Sequence, residues 1–424
     1  MSNNDLITKN EQDSKMSLNS DNEKHEESGE KYKNKKYEID GWEDDALNLK
    51  VKLLKGIYSH GFENPSPIQK KCLYPMSKYK HNGEHCDILA QAQSGTGKTG
   101  GFVISTLERI DETKKATQSI ILAPTHELAS QIKNVTDSIG SYMSLETKLL
   151  IGGTSVEDDR NYFSKNTPHI VVGTPGRVKD MIERKALKTN KLILMVLDEV
   201  DEMMSKGFKV QILDIFQHMP EKVQLGFFSA TMPEIVKELI NRILQDPIKI
   251  LVKAEQLTLQ GIKQYYVQVY NDNEKYATLK DLFANLSIAQ SIIYCNSTNR
   301  VDDLFEAMTE DGFPVGRMHG KLPENVRNET SKKFRRGTER VLICSDLYAR
   351  GIDVQQVSIV INFDIPKDES TYLHRIGRSG RWGRKGLAIN FKTKYDRDKL
   401  LKFERYYDTQ IDEMPNNYAK HIDL

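Results

Sequence analysis

From Trp42 onward the chain repeats one pattern: a short, continuously apolar run that ends in Gly, Thr, Ser or Asp, then a longer segment with helical spacing. The first set of runs is 86–92 (CDILAQA), 119–125 (SIILAPT), 147–153 (TKLLIGG), 169–175 (HIVVGTP), 192–200 (LILMVLDEV) and 225–231 (LGFFSAT), with 246–252 (DPIKILV) closing the unit. A polar stretch over 253–261 follows, and the alternation restarts at 263–270, 291–297, 341–346, 357–364 and 386–391. Runs without internal alternation predict strands buried on both faces, which is the habit of parallel sheets. Two α/β units, 41–252 and 262–424, joined by a short linker at 253–261 are therefore expected, with function at the carboxyl ends of the strands.

Residues 1–40 have no such period. They are rich in Asn, Ser, Lys and Glu, with seven Lys against ten acids, and predict a disordered tail that cannot bury enough surface to offset its ordering entropy. Over all 424 residues, 61 basic side chains face 60 acidic ones, a balance that does not announce a nucleic-acid binder. The balance is not uniform, however. From Ser370 to Tyr395 there are seven basic residues (Arg375, Arg378, Arg381, Arg384, Lys385, Lys392, Lys394) and no acid. Such a run reads either as a solvated face or as a local phosphate-binding patch, and a weak overall field implies little long-range hold on any polyanionic partner. The longest apolar runs, such as Leu192–Leu197, fall well below the ~18 residues of a membrane helix. The first residues lack the apolar core of a secretory signal, and Cys72, Cys86, Cys295 and Cys344 lack CxxC spacing. Reduced thiols in an intracellular protein, cytoplasmic or nuclear, are expected.

The polar strand ends carry the chemistry. Ala92-Gln93-Ser94-Gly95-Thr96-Gly97-Lys98-Thr99 fits the phosphate-binding loop with Ala in place of the first Gly. Its glycines let backbone N–H groups wrap phosphate oxygens, Lys98 reaches the terminal phosphates, and Thr99 offers a hydroxyl to Mg²⁺. Asp198-Glu199-Val200-Asp201 closes the run ending at Leu197. There Asp198 is placed to hold the Mg²⁺ shell, largely through water, and Glu199 to orient or deprotonate the attacking water. Favourable acids at a helix N-terminus are the plainer reading of the same residues.

Together with Gly61-Phe62-Glu-Asn-Pro-Ser-Pro-Ile-Gln69, Ser229-Ala-Thr231 and His374-Arg-Ile-Gly-Arg378-Ser-Gly-Arg381, these motifs resemble those of the DEAD-box ATP-dependent RNA helicases, most closely the translation initiation factor 4A subfamily. The resemblance runs from about Trp42 to Met414. It implies two tandem RecA-like doubly wound parallel-sheet domains, ATP and Mg²⁺ as cofactors, and RNA, single-stranded or in short duplexes, as partner. By this resemblance Gln69 reads the adenine edge and Phe62 stacks on the ring, while Gln93 through Thr99 hold the phosphates and Asp353 the ribose. Lys98, Asp198, Glu199 and the arginine fingers Arg378 and Arg381 are catalytic, and Asp201, Ser229, Thr231 and His374 couple hydrolysis to closure. RNA backbone contacts fall to Pro124, Thr125, Gly152, Gly153, Thr174 and Arg177 in the first unit and to Asn296, Arg327 and Ser345 in the second. A minimal core of this kind implies a monomer whose timing comes from partners such as a scaffold bridging both units.

The chain departs from the family at a few positions. His126 stands for Arg, Glu324 for Gln, Thr298-Asn299 for an Arg pair, and Val200 lies inside the acidic box. These changes motivate an alternative, an ATP-gated RNA clamp or assembly platform with little unwinding. DNA as the remodelled strand is a third reading. Trp42, two residues before the place of a family aromatic, either substitutes for it or packs at the domain edge. The segment Tyr79–His85 is the least family-like part of the core.

Overall fold

The computed structural model describes residues 38–92, 95–251, 261–286, 290–346, 357–379 and 386–415. Gln93, Ser94, Asp353, Arg381 and the 253–260 part of the linker lie outside these residues.

Seven strands, β1 (Ile88–Gln91), β2 (Ser119–Leu122), β3 (Thr147–Leu150), β4 (Ile170–Gly173), β5 (Leu194–Asp198), β6 (Gln224–Ser229) and β7 (Ile248–Leu251), form one sheet in the order β3-β4-β2-β5-β6-β1-β7. A second sheet is built from β8 (Ile262–Gln268), β9 (Ser291–Tyr294), β10 (Val315–Met318), β11 (Val341–Cys344), β12 (Ile359–Asn362), β13 (Gly386–Lys392) and β14 (Asp412–Glu413), in the order β10-β11-β9-β12-β13-β8-β14. Every pairing within the two sheets is parallel. Helices cover both faces, so the central strands β2, β4, β5 and β6 are buried at every position. That is why their sequences read as unbroken apolar runs. Each buried Ile, Val or Leu contributes about 1.5–3 kcal/mol relative to exposure.

The apolar pattern missed β10 and β14. In β10 the run is broken by Gly316, where a Cβ would come within 2.1 Å of Glu339 Oε2, and by Arg317. The Arg317 guanidinium leaves the strand to pair with Asp302 at 2.6 Å and to cover the Phe305 ring. Strand β14 is two exposed residues added to the edge of β8.

Trp42 is a core residue. It is 2% exposed, its Nε1–H donates to the Phe62 carbonyl at 3.1 Å, and its ring lies nearly parallel to that of Phe62. The Tyr79–His85 segment forms a turn closed by two backbone bonds between His81 and Glu84 and pinned by a Lys222–Glu84 ion pair at 2.7 Å. It sits at the amino ends of β1 and β6, the end of the sheet opposite the phosphate loop. No helix among the described residues is long and apolar enough to cross a membrane.

Candidate functional site

Strand β1 ends in the phosphate-loop sequence, anchored where the Ala92 N–H donates to the Ser229 carbonyl at 3.1 Å. Gly95 (φ +84°) and Gly97 (φ +95°) take left-handed backbone conformations that a side chain resists. At Gly97 space is also closed, because a Cβ would lie 2.7 Å from Ser66 Oγ and 2.8 Å from Gln69 Nε2. The Lys98–Arg109 helix starts here and directs its free N–H groups and positive dipole end into the loop.

Gln69 is 2% exposed and ties the Gly61–Gln69 segment to this loop. Its Oε1 accepts the Ser66 N–H at 2.8 Å, and its Nε2 donates to the Gly97 carbonyl at 3.0 Å. Phe62 packs beside it, close enough that a Cβ on Gly100 would meet its ring at 2.8 Å.

Opposite the loop, β5 ends at Asp198. Glu199 then turns through a left-handed conformation (φ +52°), which costs a non-glycine residue about 1–3 kcal/mol, and opens the Val200–Ser205 helix. The turn gives a buried pair of carboxylates, with Asp198 2% exposed. Burial first, then the neighbouring Glu199 charge, pushes the Asp198 carboxyl up to about 7 against the opposing pull of Lys98. Lys98, itself buried, reaches Glu199 Oε1 at 3.4 Å. Two dry carboxylates with one ammonium fit a further cation, and the Thr99 hydroxyl and Asp198 are the hard oxygen donors that suit Mg²⁺. Val200 points away into the core that also holds Leu197, Met203 and Met204, so the bulk it adds to the acidic box is absorbed by apolar packing.

Asp201 joins the two units. Its Oδ2 accepts the Thr231 hydroxyl (2.5 Å) and N–H (3.2 Å), the His374 Nε2–H (3.3 Å) and the Ser370 hydroxyl (3.5 Å). Ser229 supports the cluster by accepting the Asp201 N–H at 3.3 Å. Ser370, which also lies 3.2 Å from the Thr231 hydroxyl, was not foreseen from sequence because it precedes the recognisable His374 motif. Glu199, Asp201 and His374 each bring a ligand-type atom within 4.8 Å of the others, yet Asp201 Oδ2 is occupied by these donors. Arg378 is buried behind His374, its Nε donating to that residue's carbonyl at 3.1 Å.

The residues expected from sequence to face RNA divide. Pro124, His126, Gly152, Thr174, Gly176, Arg177 and Phe208 line a groove of about 380 Å³ at the carboxyl ends of β2, β3 and β4. Thr125 lies behind it, its hydroxyl capping the His126–Ile139 helix by accepting the Leu128 N–H. Gly153 turns the loop after β3 at φ +81°. Arg177 faces inward despite its position: its guanidinium binds Asp159, the Thr154 hydroxyl (2.8 Å) and the Thr154 carbonyl (2.7 Å), so it holds the Gly152–Thr154 loop in shape. Asn296 is likewise consumed internally, by Asp364, the Ile365 carbonyl and Arg375. Arg327 pairs with Glu127 at 3.4 Å, a second bond between the units. Ser345 is buried at the end of β11. A groove of about 670 Å³ lies elsewhere, at the amino ends of β1 and β6, away from every motif above.

A phosphate loop, an acidic strand end and a second α/β unit bonded to Asp201 just past that strand end define a two-domain P-loop nucleotide hydrolase that works by closure. Residues 66–239 match the DEAD/DEAH box helicase family and residues 274–383 the helicase conserved C-terminal domain. The chain is 51% identical over 378 residues to the ATP-dependent RNA helicase eIF4A of Phaeosphaeria nodorum, covering 89% of this chain and 94% of that protein. S. cerevisiae Dbp5 bound to RNA and ADP BeF3 superposes with a TM-score of 0.82 at 32% identity, covering 89% of this chain and 97% of that one. A Dbp5 variant bound to a Gle1 variant and IP6 gives a TM-score of 0.73 at 34% identity, covering 88% and 94%. The chain belongs to the DEAD-box ATP-dependent RNA helicases, and its two sheets are tandem RecA-like domains.

Proposed function

We propose that this chain is an initiation factor 4A-like helicase that binds RNA backbone without reading sequence, opens short duplexes or remodels ribonucleoprotein on ATP-driven closure, and resets on hydrolysis. The observation that carries the reading is the Asp201 cluster, where the acidic box, the Ser229–Thr231 segment and the His374 motif share one carboxylate across the two domains. Hydrolysis chemistry and domain closure are thereby one event.

In this reading Gln69 and Phe62 select adenine, and the loop from Gln93 to Thr99 binds the phosphates. Asp353 holds the ribose, and Arg378 and Arg381 stabilise charge on the transferring phosphoryl group. Lys98 screens the β- and γ-phosphates, and Glu199 holds the attacking water and takes its proton. Thr99 and Asp198 hold Mg²⁺, which supplies charge neutralisation at the phosphates. Gly152, Gly153 and Thr174 meet the RNA sugar-phosphate backbone with backbone amides and a hydroxyl, Pro124 shapes the groove beside them and Thr125 supports it from behind, which favours RNA through its 2′-OH. Arg177 and Asn296 shape their loops from inside. Ser345 and Arg327 lie on the second wall, with Arg327 also a closure residue. The protein acts as a cytoplasmic monomer, its two domains held by a scaffold partner.

The buried seat of Val200 supports turnover over a static clamp. Purified protein tested for ATPase activity with and without single-stranded RNA, and for displacement of a short RNA duplex, decides the matter. No RNA stimulation sinks the proposal, and ATP-dependent RNA retention without displacement favours the clamp.

A further inference from the structure

The Val200–Ser205 helix connects two parts of the site that are otherwise separate. Asp201, in its first turn, carries the interdomain hydrogen bonds. Glu202 is buried beside it and donates its N–H to Asp201 Oδ1 at 3.0 Å. One turn on, Lys206 places its Nζ 2.8 Å from Glu202 Oε1 and 3.4 Å from the Pro124 carbonyl. Pro124 begins the Pro124–His126 segment, which lines the RNA-facing groove. A cation at a helix C-terminus is favoured by the dipole and by the i,i+4 pairing with Glu202. An ammonium shared between a helix carboxylate and a loop carbonyl fixes the spacing of helix and loop.

We propose that Lys206 is a positioning residue that ties the RNA-facing Pro124–His126 segment to the acidic box through Glu202, so that RNA engagement and the Asp201 contacts rise and fall together. This rests on the helicase reading. Lys206 acts through the Pro124 carbonyl, and direct contact with an RNA phosphate is the competing role.

The test uses the full chain with Lys206→Met and Lys206→Arg, a single-stranded oligouridylate as probe, and ATPase rates across RNA concentration. Salt dependence of RNA binding is measured with a non-hydrolysable ATP analogue. Lys206→Met is expected to raise the RNA concentration for half-maximal stimulation about 5–20-fold, less than for a buried charged pair because the bond to the Pro124 carbonyl is long, at 3.4 Å, and the ammonium is partly exposed. It leaves the RNA-free rate and the salt slope unchanged, and Lys206→Arg restores most of the effect. The double variant Glu202→Gln/Lys206→Met, which avoids an unpaired buried carboxylate, gives the same shift. A salt slope shallower by about one unit assigns Lys206 to a phosphate and overturns the proposal. So does an unchanged half-maximal concentration, or an RNA-free rate that falls in step. An unstimulated parent overturns the helicase reading and the Lys206 role with it; a stimulated parent with an unaffected Met variant overturns the Lys206 role alone.

Discussion

Replacing His374 by Ala removes a contact made between the domains. The imidazole is fully buried, and its Nε2–H meets Asp201 Oδ2 at 3.3 Å. Asp201 keeps its bonds to Thr231 within the first domain, at 2.5 and 3.2 Å, so the acidic box itself keeps its local support. The loss is one buried hydrogen bond to a charged acceptor, worth about 1.5–3 kcal/mol. With about 1.4 kcal/mol per tenfold, that lowers the closed population, and with it RNA-stimulated turnover, by roughly 10- to 150-fold. Steady-state ATP hydrolysis at saturating RNA measures it, with circular dichroism to show that the variant is folded. A folded variant whose stimulated rate stays within about threefold of the parent would refute the idea that the Asp201 cluster carries closure.

Other expectations follow from single sites. Gly97→Ala places a Cβ against Ser66 and Gln69 at φ +95°, so nucleotide binding measured by calorimetry is expected to fall at least tenfold, with about 1–3 kcal/mol lost from stability. Arg375 is fully buried, with its guanidinium bound to Asp346 (2.6 Å), Asn362, Asn296 (2.8 Å) and the Asp364 carbonyl. Arg375→Lys cannot fill that fork and is expected to cost about 3–5 kcal/mol, read as a lower denaturation midpoint. Burial and the charges of Arg109 and Lys80 lower the His85 imidazole to about 4. The unfolded chain takes up this proton near the ordinary value, about 6.5, and the folded chain only near 4, so folding stability falls as pH drops across that interval. His85→Gln is expected to flatten that part of a melting-temperature profile, and an unaltered slope would exclude His85 as its source.

Much of this architecture was legible because parallel strands buried on both faces cannot hide. Ser119–Leu122 and Leu194–Asp198 are unbroken apolar runs, and the Gly, Thr and Asp residues that end such runs mark the functional edge. What escaped had local reasons. Strand β10 is interrupted by a glycine packed under Glu339 and by an arginine paired sideways to Asp302. Residue type suggested phosphate contacts for Arg177 and Asn296, but only the fold reveals that Asp159, Thr154 and Arg375 consume their polar atoms. Ser370 entered the coupling cluster through tertiary placement across the two domains, and nothing in its sequence surroundings marks it. For Trp42, sequence left two roles open, and its donated bond to the Phe62 carbonyl decides for the core.

Closure links ATP hydrolysis to RNA in this molecule. The direct measurement is the ATP hydrolysis rate of the full chain with no nucleic acid, with single-stranded RNA and with DNA of equal length. Stimulation of at least tenfold by RNA, with far less by DNA, is the expected result. A rate indifferent to RNA, or raised equally by DNA, would contradict it.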